Sequence, residues 1–168
     1  MASFEFLAII LTGIGLTVSI TYYSMVLRNQ NKTRQAQLFM QVHSQWKDRA
    51  FIKGFYDILN NWEWESIEEF WGKYGQDVNE ESFITATEIT WYFEGVGQLL
   101  RDGLIDIRLV DSMYSSRVID LWEKFYPVIT YLREKGFGRE NPDYYINFEY
   151  LYTALKKRRE KVYMEKQL

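Results

Sequence analysis

The chain contains no cysteine, one histidine and two prolines in 168 residues. Without cysteine there is no disulfide, no thiolate nucleophile and no thiolate-ligated zinc. The single histidine, His43, has no second imidazole to pair with, and no Glu-x-x-His motif surrounds it. A lone histidine of that kind is a structural hydrogen-bonder rather than a metal ligand. The net charge of −3 lacks the basic excess of a nucleic-acid-binding surface. No G-x-x-x-x-G-K-[ST] or G-x-S-x-G occurs, which removes the P-loop and the nucleophile elbow. Gly95-x-Gly97 is half of a dinucleotide fingerprint; position 100 is Leu and no strand precedes it. The expected role of Gly95 is to let another helix approach closely, and that of Gly103 to turn the chain.

Charge is also missing from Phe6 to Leu27, a run of 22 residues. As a helix this run would measure about 33 Å, against a bilayer hydrocarbon core of about 30 Å. Eleven of its residues are Leu, Ile, Val or Phe, the types whose insertion is favourable at mid-bilayer. The start Met-Ala-Ser-Phe-Glu has no Lys or Arg, and Tyr22 to Leu27 offers no small-residue cleavage site. The run is therefore expected to be an uncleaved anchor rather than a signal peptide. Arg28, Lys32 and Arg34 follow it. The positive-inside rule then puts residues 1–5 outside and the chain from 28 in the cytoplasm, as a single-pass protein of the cell membrane. Gly13, Gly15 and Ser19 are small enough to let a second helix pack against the anchor.

Beyond the anchor no Gly or Pro occurs until Gly54, so residues 28–48 read as a helical stalk, with Phe39, Val42 and Trp46 on one stripe. Residues 49–155 read as one helical domain. Ala50 to Asn60 forms a short helix after a break at Asp48, with Phe51, Phe55, Ile58 and Leu59 inward. Ser66-Ile67-Glu68-Glu69 is a capping box. Asp77-Val78-Asn79-Glu80 opens a longer helix in the same way; its core stripe is Ala86, Ile89, Phe93, Val96 and Leu100, with Gly103 at its left-handed C′ position. Asp106 caps a helix through Met113, and Ser115 or Ser116 caps the next. That next helix carries Val118, Trp122, Phe125, Ile129 and Leu132 and is expected to kink at Pro127. Asn141-Pro142 supplies an N-cap and a proline at N1 for a final helix with Tyr144, Phe148, Leu151, Leu155 and Val162 inward. No stretch alternates with period two. The fold class is all-α: one transmembrane helix, then a compact multi-helix cytoplasmic bundle.

Charge is distributed unevenly. Residues 57–94 hold ten acids against Lys73 alone. Residues 156–168 form a basic helix end with Lys156, Lys157, Arg158, Arg159 and Lys161, suited either to the helix dipole or to anionic lipid headgroups. Among the acids, Glu65, Glu68 and Glu69 read as a solvated face, and no metal site is expected. Glu94 lies on the apolar helix, where a carboxylate would pair with Arg101, Arg108 or Arg117 and hold two helices in register. Trp62 and Trp64, and Tyr145 and Tyr152, are candidate contact aromatics for a partner.

The run Trp91-Tyr92-Phe93-Glu94-Gly95-Val96-Gly97-Gln98-Leu99-Leu100-Arg101-Asp102-Gly103-Leu104-Ile105-Asp106 resembles a family of short prokaryotic proteins, many of them archaeal, that carry a domain of unknown function. The pattern begins at Thr33-Arg34-Gln35-Ala36-Gln37-Leu38 and continues through Leu109-Val110 and Leu121-Trp122-Glu123 to Pro127, within residues 33–152. The resemblance implies a helical fold behind an N-terminal hydrophobic helix, and no activity.

With no coherent catalytic set, no cofactor and no nucleic-acid partner expected, the reading is a membrane-anchored accessory, scaffold or docking protein that engages a protein partner or a second copy of itself. Two alternatives belong to other classes. One is a small-molecule sensor or enzyme with an inter-helix pocket around Glu94 and Arg101; the other is peripheral lipid sensing by the basic helix end.

Overall fold

A computed structural model describes residues 2–136 and 140–165. The described residues contain six α-helices and no strand: α1 (Ala2–His43), α2 (Arg49–Asn61), α3 (Ile67–Tyr74), α4 (Glu80–Arg101), α5 (Ile107–Glu134) and α6 (Ile146–Glu165). A 3₁₀ turn, Ser44–Lys47, links α1 to α2. The chain divides into two compact units, Met1–Leu38 and Phe39–Leu168.

The first unit is the greater part of α1. Its apolar side chains, among them Leu7, Ile9, Leu11, Leu16 and Ile20, are exposed. The helix is long and apolar enough to cross a membrane by length and composition, with a mean hydropathy of 1.9 over its most apolar window.

In the second unit, local chemistry sets most helix starts. Asp48 accepts from the backbone N–H groups of Ala50 and Phe51 at 2.7 and 3.1 Å. Ser66 Oγ accepts from Glu69 N, and the Glu69 carboxylate reaches back to Glu65 N at 2.7 Å, a capping box shifted by one residue. Asn79, two residues past the expected Asp77, caps α4, and Asp106 caps α5. Gly103, at φ 69°, ends α4 in the left-handed conformation that glycine adopts without steric cost.

Four helices supply most of the core, with Phe39 of α1 and Phe70 of α3 added. Phe55 and Ile58 come from α2, and Ile89, Phe93 and Val96 from α4. Val110, Tyr114, Val118, Leu121 and Ile129 come from α5, and Phe148, Leu151 and Leu155 from α6. The most extensive pairing is α4 with α6, followed by α5 with α6 and α2 with α4. The five-residue stripes expected on α4 and on the second half of α5 are buried throughout. The α4–α6 approach is close because Gly97 has no side chain: a Cβ there would overlap the backbone carbonyl of Asn147.

Several expectations are corrected. Residues 107–134 form one helix, not two, because Ser115 is buried within α5 and caps nothing. Pro127 lies inside this helix, as its place in the middle of the stripe predicts. Asn141 and Pro142 do not begin α6; they form a turn in which Tyr144 N donates to Asn141 O at 3.2 Å. Tyr145 then takes a positive φ of 58°, which no helix accommodates, and α6 starts one residue later. Leu59 and Tyr144 are half-buried, and Val162 is exposed rather than inward. Gly95 is not the close-approach glycine either: a Cβ there would meet nothing within 4 Å.

Candidate functional site

A helix in hydrocarbon must satisfy its own polar groups. In the first unit the hydroxyls of Thr12, Thr17, Ser19 and Thr21 each donate to the carbonyl four residues earlier, at 2.8–2.9 Å. Each bond removes a donor that would otherwise be unpaired in an apolar medium. Tyr22 and Tyr23 stand exposed near the end of the uncharged run, the residue type that gathers where hydrocarbon meets headgroups. Gly13 and Gly15 have open space where a Cβ would be, and Ser19 donates to Gly15 O. Arg28, Lys32 and Arg34 follow on the same helix, all exposed.

Glu94 is half-buried, and its partner is the start of α6 rather than an arginine. Its Oε2 accepts from Phe148 N at 2.7 Å, and its Oε1 accepts from Asn147 N at 3.2 Å and Asn147 Nδ2 at 2.8 Å. A carboxylate here takes up N–H groups that a helix start leaves unpaired and opposes the positive end of the helix dipole. It does from a neighbouring helix what Asn141 was expected to do locally.

The three arginines are dispersed. Arg101 Nη1 donates to Asn147 Oδ1 at 3.3 Å, on the periphery of the Glu94 contact. Arg108 pairs with its own helix cap, Asp106, and holds that carboxyl below its ordinary range. Arg117 lies over the Trp46 ring, 5.2 Å from its centroid, and donates to Met113 O at 2.6 Å. The beginning of α6 is tied on its other side by Arg133, which donates to Tyr144 O at 2.8 Å and to Glu149 at 2.7 Å.

The candidate contact aromatics mostly pack inward. Trp62 stacks on Tyr74 at 4.1 Å with the rings parallel. Trp64 packs edge-on against Phe70 and Phe125, with Lys124 Nζ over its ring. Lys124 also donates to Leu59 O and Trp62 O, closing the carboxyl end of α2, and burial pushes its pKa down. Tyr145 shares a 2.9 Å hydrogen bond with Thr90, and burial raises its pKa. Tyr152 stacks on Trp122. Among the tryptophans Trp91 is the one open to solvent, 62% exposed on α4; Tyr126 and Tyr163 are exposed as well.

Of the basic residues on α6, Lys156 is paired with Glu123 at 3.0 Å, and hydrogen bonds from its ammonium to Tyr152 and Glu123 raise its pKa. Arg158 is paired with Asp111 at 2.8 Å. Arg159 is half-buried in a shallow cleft with Asp111, Val162 and Tyr163. Lys157 and Lys161 are exposed, and Val162, Tyr163 and Met164 follow them with 36%, 62% and 63% of their surfaces open.

A cleft of about 480 Å³ runs along α4 beside Tyr92, Gly95, Gln98 and Leu99, flanking positions 94 and 101 without either side chain in its lining. One of about 40 Å³ is enclosed mainly by rings, including Phe70, Trp71, Phe83, Phe125 and Tyr145. Another, of about 290 Å³, opens between the end of α1, α2 and α5 beside His43, Tyr114 and Arg117.

Compared with known proteins, residues 6–155 match the family model described as a domain of unknown function, DUF4760. No curated protein and no solved structure matches the chain.

Proposed function

The chain belongs to the DUF4760 family, and from that premise we propose that it is a single-pass membrane protein whose second unit serves on the cytoplasmic side as a docking or accessory subunit. The observation that carries the reading is α1: 22 uncharged residues whose four mid-span hydroxyls are satisfied within the helix. The basic residues Arg28, Lys32 and Arg34 orient it with the amino terminus outside. For the docking role the support is Trp91, a ring of the type that anchors protein contacts, uncovered in a unit whose other tryptophans are packed.

Alkaline carbonate extraction and protease protection of the full chain test the anchor. The expected result is retention in the membrane, with cleavage of the second unit only after the inner face is opened. Release into the supernatant overturns the anchor. A photo-crosslinking residue at position 91 tests docking: a discrete adduct in native membranes, absent for the same residue at exposed position 112, supports it. Equal labelling from both positions opposes it.

A second reading concerns the end of α6. Lys157 and Lys161 beside exposed Val162, Tyr163 and Met164 give the mixed basic and apolar character of a helix that settles on anionic lipid. The double substitution Lys157→Glu and Lys161→Glu in a chain lacking residues 1–27 should then abolish sedimentation with phosphatidylserine vesicles. Unchanged sedimentation, or none before substitution, removes this reading.

A further inference from the structure

We propose that the cleft walled by His43, Ile52, Tyr56, Met113, Tyr114 and Arg117 binds a small organic anion: a phosphate monoester or carboxylate carried on an apolar, ring-sized body. The site is independent of the membrane and docking roles above.

The charge of its lining is the first argument. Residues 57–94 hold ten acids, yet no Asp or Glu lines this cleft, which carries a guanidinium and an imidazole. Two other clefts also lack carboxylates, but this one adds an arginine and an imidazole, which gives it the electrostatics of an anion site.

Donor geometry is the second. Arg117 is held from two sides, by the face of Trp46 at 5.2 Å and by the Met113 carbonyl at 2.6 Å. That carbonyl uses one of the five guanidinium N–H groups, so the fork is oriented before any ligand arrives and retains donors for two oxygens. Ordering the side chain beforehand reduces the entropy a ligand must offset.

His43 supplies the third. Its Nδ1 lies 2.5 Å from the hydroxyl of Tyr114, a residue only 1% exposed. The phenol and Nδ1 share one hydrogen bond, the hydroxyl donating when the imidazole proton sits on Nε2. In that tautomer Nε2–H is a donor with no hydrogen-bond partner shown among the described residues, and it is the tautomer an anion in the cleft would select. Phe39, stacked near the ring, and Tyr114 fix its plane. Ile52, Tyr56 and Met113 provide the apolar wall, and about 290 Å³ suits a phenyl-sized body.

The chain's single histidine makes the test direct, because every imidazole NMR signal belongs to His43. The full chain in zwitterionic nanodiscs is titrated with phenyl phosphate and, separately, with inorganic phosphate. Expected is a saturable His43 shift with phenyl phosphate, with inorganic phosphate at least about tenfold weaker for want of the apolar contact. Arg117→Gln should weaken phenyl phosphate by about tenfold or more, and Arg117→Lys should recover only part of the loss, because it keeps the charge without the fork. Thermal melting of each variant reports its fold. Phosphatidic acid in the nanodisc that competes with phenyl phosphate assigns the natural anion to a lipid headgroup; absence of competition assigns it to a soluble compound. A non-saturable or absent shift overturns the proposal, as does equal affinity for the two phosphates or unchanged affinity in a folded Arg117→Gln chain.

Discussion

Gly97 of α4 lies directly against the backbone carbonyl of Asn147 at the start of α6, so closely that no side chain fits between them. Gly97→Ala must therefore move one helix or the other. The expected loss is about 1–3 kcal/mol, the usual cost of forcing extra volume into a packed contact. Gly95→Ala, two residues earlier, should do the opposite. Its Cβ would meet nothing within 4 Å, and alanine is the better helix former by about 0.5–1 kcal/mol. Chemical denaturation of the two variants should give shifts of opposite sign.

Removing the Glu94 carboxylate leaves the N–H groups of Asn147 and Phe148 without their acceptor. Glu94→Ala is expected to cost about 1–2 kcal/mol, in the range of a lost helix cap. Glu94→Gln should cost less, since an amide oxygen still accepts one bond. Hydrogen exchange of the first turn of α6 should accelerate in the alanine variant more than exchange in α2. Equal acceleration in both helices would indicate global loosening and refute the capping role.

Acid should destabilise the second unit, and salt should blunt the effect. The Lys73 ammonium holds the Glu69 carboxyl below its ordinary value of 4.5, and Lys156 does the same for Glu123. Arg108 lowers Asp106 from 3.8. A depressed folded-state pKa means stability that is fully present above the unfolded value and is lost as pH falls through the folded one. The decline therefore begins below about pH 4.5. All three pairs are exposed, so added salt should flatten the slope, and Glu69→Gln should remove part of it. Melting curves across pH at two ionic strengths provide the measurement.

Placing two arginines in mid-span, Ile14→Arg with Leu16→Arg, should end stable insertion. Each costs about 2.5–3.5 kcal/mol at a helix centre and also removes a favourable side chain. The variant chain is expected in the carbonate-soluble fraction. Its continued retention would mean that something other than this helix holds the protein to the membrane.

What was legible in the sequence was local. Ser66 and Asp106 cap helices as their own segments predict, through bonds to residues two or three positions on; Asp48 read only as a break, and the α4 cap is Asn79 rather than Asp77. The stripes on α4 and α5 are periodicities contained in their own segments. The misread features depend on distant chain. Ser115 carried the chemistry of a cap, but burial inside α5 overrode it. Asn141-Pro142 was the proper start signal for a helix, yet α6 is capped by a carboxylate 53 positions earlier. Trp62 and Trp64 looked exposed among acids because the rings that cover them, Tyr74, Phe70 and Phe125, come from α3 and α5. Nothing in the sequence pairs His43 with Tyr114, 71 residues away, so that cleft was found only in three dimensions. Lys124 and Arg133 were missed for the same reason, as their acceptors are backbone carbonyls, which no side-chain pattern records.

The Gly97–Asn147 contact also has a consequence for synthesis. Ribosomes deliver α4 some fifty residues before the segment that seats on it. Through that interval the nascent chain displays the bare glycine and the part of the greasy stripe that α6 later covers, since α2 shields only the other part. A premature stop anywhere before Ile146 would make the delay permanent, leaving a product that clumps or is degraded rather than a shortened working protein.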